Sequence, residues 1–487
     1  MFKKVSILLA VVLALTSFAF PVFGQDDPYA DVDPSGATVE FWHQHSAGRA
    51  RALDAMVAVF NDPEVDYSFY EPDENDPIDI LAMVEELRPV AAEYNPYGIV
   101  VEASNQGGYG DIFQKMNLGL VAGGEDLPQL VVAYGNQAAT YQLVDGLVDM
   151  NTLVESPTWG LSEEERADFF PAFIESDIFS VFDDARLGFP PNRSMEVMYY
   201  NASWLAELFE AGAISFEGPP TTPDQFREAA CAATENPFSG ATGDVSTSVG
   251  YQLSLDASRF AAWTFGFGGD VFDEETNQYT YDSEAAVAAM EFLQGLFNDG
   301  CAAGVEERFG DQTNFGAGVT LFTVGSSSGL PFYELAVRDG GADFEWSVSA
   351  VPHVTEDPVQ NIYGASVSMP RSTPEQELAT WIFIKYYTSP EVQTYWAEAS
   401  NYFPVRQSVA EGEEMQTYFE ANPAYAAAFD LLPYTKVEPQ VPGYDFVRDL
   451  LEQQMAAIVS GSSVTETLAA TNVEANRILA EQFEDLE

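Results

Sequence analysis

The stretch Gly188–Asn201, GFPPNRSMEVMYYN, decides the reading of this chain. Pro190 and Pro191 fix φ and remove two backbone donors, so 188–191 reads as a rigid strap between packed bodies rather than the interior of an element. The run Glu196–Tyr200 behind it alternates as a strand, which turns one of its two tyrosines inward. Helical spacing follows over 202–211, and then the turn-rich Pro219–Pro223, PPTTP.

Towards the amino terminus, Ala37–Trp42 alternates as a strand and delivers Trp42, His43, Gln44 and His45 at its carboxyl end. Residues 47–60 have helical spacing, with Leu53, Met56, Val57 and Phe60 on one face. An acidic, proline-punctuated insert, Asp62–Pro77, separates this helix from a second one ending near Glu93. Strands over Gly98–Glu102 and Leu127–Tyr134 alternate with helices over 112–121 and 136–143. That order predicts an α/β architecture with mostly parallel sheets. Ligands in such sheets lie beyond the strands' carboxyl ends, so Trp42, Gly107–Tyr109 and Tyr134–Gln137 are expected along one rim.

Towards the carboxyl terminus, 223–318 reads as largely helical. Val319–Val324 is extended and leads into Gly325–Gly329, GSSSG. The segments 344–351, 363–369 and 376–388 form a β–β–α run, Asn401–Val405 (NYFPV) reads as a second crossover, and the remainder reads as helical.

The bulk properties bound the function. A chain of 487 residues is long enough for two full cores. With 19 basic against 77 acidic residues, net −58, nucleic acid and anionic membrane surfaces are excluded as partners by repulsion. The amino terminus has the pattern of a secretory signal peptide over 1–24: Met1–Lys4 is basic, Val5–Phe20 is apolar, and cleavage is expected after Gly24. No cysteine lies near that site, so the mature protein is expected to be exported and soluble, periplasmic or extracellular, without a lipid anchor. Residues 25–36 read as a flexible leader. Cys231 and Cys301 are the only cysteines; in an exported chain the pair suggests a disulfide, the alternative being two separate buried thiols.

Several segments, in this order, carry a resemblance: FWH at 41–43, LPQLVVAY at 127–134, the strap, GGDVFDEE at 268–275, GSSSG at 325–329, YGASVSM at 363–369 and SPEVQTYWAEASNYFPVRQS at 389–408. Together they resemble the extracellular solute-binding proteins of ABC importers, in the maltose and glycerol-3-phosphate binder group. The resemblance implies a two-lobed periplasmic-binding-protein fold, with mostly parallel sheets flanked by helices and lobes joined by hinge strands. It implies capture of a saccharide or glycerol-phosphate-type solute between the lobes, delivery to membrane permease subunits, a monomer, and no cofactor. The expected division is 37–189 and 323–400 in the first lobe, with 190–322 and 401–487 in the second.

The candidate ligand-binding residues follow from the rim, the strap and the matched motifs. They are Trp42, His43, Tyr109, Asn136, Gln137, Arg193, Ser194, Asp256, Arg259, Ser326, Ser327, Ser328, Tyr363, Gly364 and Tyr444. Aromatic faces suit the C–H surface of a sugar and planar polar groups suit its hydroxyls. Arg193 is expected to face the ligand, since its planar fork fits vicinal hydroxyls or a phosphate. The family's phosphate-holding arginine aligns with Val441, the tyrosine before its Asn-Pro pair with Phe419, and its glycerol-facing glutamate near Gly135. The rival reading is a secreted glycoside hydrolase, which requires two positioned carboxylates. Pairs such as Glu274/Glu275 are too common here to identify one, and no catalytic or metal-binding residue is assigned. His43-Gln44-His45 lacks a third ligand.

Overall fold

The computed structural model describes residues 27–484 except 74, 75, 125, 306 and 308. The expected signal peptide lies outside the described residues.

Two sheets organise the chain. In the first, Ser366–Ser368, Leu130–Ala133, Thr38–His43 and Val100–Asn105 lie side by side in that order. The last three run parallel and Ser366–Ser368 runs antiparallel to its neighbour. Helices Ala47–Asn61, Ile80–Tyr94 and Pro374–Tyr387 bury their apolar faces on this side, where Phe60 packs edge-on against Phe383 at 5.1 Å.

The second sheet is built around Ser194–Asn201, the strand that follows the strap. It pairs antiparallel with Thr320–Ser326, Trp346–Ser349 and Gln360–Tyr363. Beyond Thr320–Ser326 lie Val249–Leu253 and Ala302–Gly304, and beyond Gln360–Tyr363 lies Thr435–Val437. Tyr199 is the inward tyrosine, stacked on Tyr333 at 3.8 Å, while Tyr200 is half-buried. An aromatic core of Phe226, Tyr251, Trp263 and Phe322 sits under helices Pro223–Glu235 and Ala257–Gly266.

The strap does cross between the sheets. Phe189 bridges Val367 of the first sheet, and five residues later Ser194 pairs with Tyr363 of the second. The returning chain changes sheets at Gly364 and Ala365, between strands Gln360–Tyr363 and Ser366–Ser368. A third segment joins them where Arg193 bridges Phe403. The crossings are tight: a Cβ at Gly188 would lie 3.0 Å from Asp177 Oδ1, and one at Gly364 would lie 3.2 Å from the Arg193 Cα.

The expected division is corrected in two places. Residues 323–363 stay with the second sheet, because three of its strands lie wholly or partly there, so the return to the first lobe falls at 364–366 instead of 323. The carboxyl-terminal part is itself divided: Gln407–Ala410 and Glu413–Ala421 pack on the first-lobe helix Pro390–Ser400, whereas Pro423–Phe429 lies beside Trp346–Ser349 of the second sheet and Tyr444–Val459 and Val464–Glu484 pack on second-lobe helices. The 223–318 region also holds strands Val249–Leu253 and Ala302–Gly304 and a small hairpin at Phe272–Tyr279, besides its helices. Cys231 and Cys301 are joined by a disulfide within the second lobe.

Candidate functional site

Between the lobes lies a cleft of about 380 Å³. Four helices begin at its wall: Tyr109–Val121, Gly135–Gln142, Ala257–Gly266 and Tyr444–Val459. The first two follow the carboxyl ends of strands, as the rim argument requires. Local capping orients them. Gln137 accepts the Tyr134 N–H at 3.1 Å, and Asp256 accepts the Ser258 N–H at 2.7 Å.

Twelve of the fifteen expected ligand residues line the cleft: Tyr109, Asn136, Gln137, Arg193, Ser194, Asp256, Arg259, Ser326, Ser328, Tyr363, Gly364 and Tyr444. Trp42, His43 and Ser327 do not. The Trp42 indole donates to Glu40 at 2.7 Å, on the half-buried face of its strand. His43 is buried against Phe41 and His45, and burial pushes its imidazole down to about 4. Ser327 is enclosed and accepts the Met195 N–H at 3.2 Å. Val441 lies outside the cleft, and Phe419 packs with Tyr425 and Phe429. At Gly135 a Cβ would lie 2.6 Å from the end of the Gln440 side chain, which would have to move for any side chain to stand there.

Arg193 reaches the cleft but spends its guanidinium elsewhere. Its Nη2 donates to Asp177 (3.1 Å), Ser176 (3.0 Å), Ser366 (3.0 Å) and the Phe173 carbonyl (3.2 Å), while Nη1 donates to the Asn192 carbonyl at 2.9 Å. Ser366 also donates to both oxygens of Asp177. This network pins the strap to the first lobe, so Arg193 borders the cleft with its guanidinium already engaged by protein acceptors.

The polar centre of the cleft lies on the second lobe. Asp256 Oδ1 receives Arg448 Nη2 at 3.0 Å and stands 3.5 Å from Arg259 Nη1. Burial alone would raise the Asp256 carboxyl, but Arg448 and Arg259 outweigh it and hold it below the usual carboxylate range. Glu438 receives Arg448 at 2.6 Å and the Tyr444 hydroxyl at 2.7 Å. Behind Arg259, the enclosed Glu196 pairs with it at 3.2 Å and accepts the Tyr363 hydroxyl at 2.9 Å. Across the cleft, Asn136 and Gln137 of the first lobe both donate to Asp445 of the second. Arg448, Glu438, Asp445 and Tyr402 were missed from sequence. The spacing of Tyr444 and Arg448, four apart on one helix face, was the available signal for the arginine.

The charge balance is informative. Four carboxylates (Asp177, Asp256, Glu438, Asp445) line the cleft against three guanidiniums (Arg193, Arg259, Arg448), and each guanidinium is ion-paired. Tyrosines 109, 134, 363, 402 and 444 supply aromatic surface, with the Tyr109 and Tyr134 rings 4.7 Å apart.

Burial also pushes Glu196 up to about 7, against the pull of Arg259. A folded-state pKa above the unfolded one makes the native state the better proton binder between the two values. The stabilisation is complete below the unfolded carboxylate pKa and is lost as pH rises through 7. Melting of the wild type at pH 5 and pH 8 is therefore expected to show a loss at the higher pH that Glu196→Gln largely removes. Equal pH dependence in both proteins would contradict the assignment.

The sequence profile of bacterial extracellular solute-binding proteins matches residues 90–427, more than half of the chain. The chain belongs to that family. Among relatives of this solute-binding protein, the sn-glycerol-3-phosphate-binding periplasmic protein UgpB of Yersinia pseudotuberculosis is 21% identical over 346 residues, 67% of this chain and 75% of that one. UgpB of Mycobacterium tuberculosis, solved with glycerophosphocholine, superposes with a TM-score of 0.70 at 20% identity, covering 92% of this chain and all of that one. The GacH receptor of Streptomyces glaucescens, solved unliganded and with acarbose, has a TM-score of 0.70 at 18% identity, covering 92% and 99%. At these identities the two structures establish the two-lobed fold. Among the described residues, no helix is long and apolar enough to cross a membrane.

Proposed function

We propose that this solute-binding protein is the capture component of an ABC importer, exported and monomeric, and that its solute is a neutral saccharide rather than a glycerol phosphate. Solute is held between the lobes and passed to membrane permease subunits without being transformed. The observation that carries the choice of solute is the ion pairing of every cleft arginine. A phosphate needs charge-assisted donors, and Arg259 and Arg448 already share their charge with Asp256, Glu438 and Glu196, which would compete with a phosphate for it and repel it. A neutral polyol makes no such demand. Asp256, ionised and anchored through Oδ1, offers its other oxygen to hydroxyls, while the tyrosines offer faces to C–H surface.

Thermal melting with a panel of neutral saccharides, sn-glycerol-3-phosphate and glycerophosphodiesters tests the reading. A ligand at 100 times its Kd stabilises by about 2.7 kcal/mol, well within detection. Stabilisation by a neutral saccharide alone is expected; stabilisation by the phosphates alone would overturn the proposal. Once a saccharide is identified, Asp256→Ala is expected to weaken it by about ten- to a hundred-fold, or roughly 1.4–2.7 kcal/mol. Calorimetry showing unchanged affinity would remove Asp256 from the site.

A further inference from the structure

Among the described carboxylates paired to the cleft arginines, Glu196 alone stands behind the lining rather than in it. Strand Ser194–Asn201 carries it opposite Ser326, and it is fully enclosed. Its Oε1 accepts the Tyr363 hydroxyl at 2.9 Å and stands 3.2 Å from Arg259 Nη1. Its Oε2 is buried with no hydrogen-bond partner among the described residues. Such an oxygen is costly to keep charged, and a proton can sit there without disturbing either contact of Oε1.

The charge count gives that proton a consequence. Arg259 and Arg448 are joined to Asp256, Glu438 and Glu196, two cations against three anions. Protonating Glu196 balances the cluster and leaves Arg259 with Asp256 as its remaining carboxylate, 3.5 Å away. The Arg259 Nε stays on the Val324 carbonyl at 3.2 Å, which holds the side chain at the cleft wall. The groups facing Glu196 from the surrounding elements are Arg259 and its neighbour Asp256, Tyr363, Glu438, Tyr199 and Tyr251. Burial keeps the three tyrosines protonated by pushing their hydroxyls up. It pushes Asp256 the same way, but Arg448 and Arg259 outweigh it and keep that carboxyl ionised.

We propose that Glu196 sets the charge selectivity of the cleft: ionised, it offsets Arg259 and excludes anionic solutes, and protonated on Oε2 it admits a small oxyanion at Arg259. The proposal rests on the neutral-saccharide reading and names the residue that enforces it. Burial pushes Glu196 up to about 7. The protonated form is the better anion binder, so anion affinity is highest below pH 7 and falls as pH rises through it. The protonated fraction drops from about nine-tenths at pH 6 to about one-tenth at pH 8, which lowers apparent affinity about ten-fold.

The test is thermal melting of the full mature protein in a sulfate titration at pH 6 and pH 8, with sodium chloride balancing ionic strength. Sulfate is doubly charged at both, so only the protein titrates. The wild type is expected to lose about ten-fold in sulfate affinity at pH 8, whereas Glu196→Gln keeps its pH 6 affinity at both. The double variant Glu196→Gln with Arg259→Gln lacks the site and reports the general stabilisation by sulfate. Equal wild-type affinity at the two pH values would overturn the proposal. So would a wild type at pH 6, or a Glu196→Gln protein, that responds no more than the double variant. If Glu196→Gln fails to fold, the wild-type pair of titrations still decides. None of these failures touches the neutral-saccharide reading, which falls only if phosphates alone stabilise the wild type in the solute panel.

Discussion

Arg193→Ala is expected to cost about 3–5 kcal/mol of folding stability, the penalty for leaving one member of a buried ion pair uncompensated. Asp177 and Arg193 are both about 95% enclosed and 3.1 Å apart, and the carboxylate would keep only the Ser366 hydroxyl as a side-chain donor. The loss falls where the strap enters the second sheet, so it loosens the junction between lobes as well as the local fold. Arg193→Lys should recover little, since an ammonium cannot span the Asp177, Ser176, Ser366, Phe173 and Asn192 acceptors that the guanidinium reaches. Urea unfolding of the ligand-free protein measures the effect directly. An unchanged midpoint together with lost saccharide affinity would mean that Arg193 serves the solute after all.

The partners of Arg193 show where sequence reading stops. Paired prolines and the Asn-Arg-Ser run announced a boundary, and the boundary is there; what the arginine does depended on Asp177 and Ser366, 16 and 173 residues away. Trp42 failed for a different reason. Alternation places it on the same face as Glu40, its hydrogen-bond partner, whereas Phe41 and His43 point into the core. Asp256 and Arg259 were expected at the ligand, and the fold places them at the start of helix Ala257–Gly266 on the cleft wall. Arg448 was not legible: the resemblance points to Val441, and the fold brings a guanidinium to the cleft from seven residues further on. The 322/323 division misread a continuous strand: lobe membership is set by pairing with Ser194–Asn201, more than a hundred residues earlier. The short strands Val249–Leu253 and Ala302–Gly304, of five and three residues, are too brief for periodicity to separate from flanking helix.

Removing the Cys231–Cys301 bridge is expected to lower stability by about 4 kcal/mol, the chain-entropy value for a loop of this size. The two cysteines are 70 residues apart, one in helix Pro223–Glu235 and the other just before strand Ala302–Gly304. The enclosed loop carries Asp256 and Arg259, which raises the question of saccharide affinity as well. The contacts argue that it is kept. Both side chains are anchored by groups outside the loop, Asp256 by Arg448 and Arg259 by Glu196 and the Val324 carbonyl. A cross-link that acts on the unfolded chain should leave those native contacts in place. The double variant Cys231→Ser with Cys301→Ser should therefore unfold at lower urea yet bind saccharide with wild-type affinity below its transition. A stability change below about 1 kcal/mol would mean that the closed loop constrains the unfolded chain little. A parallel fall in affinity would show that the bridge also shapes the native cleft.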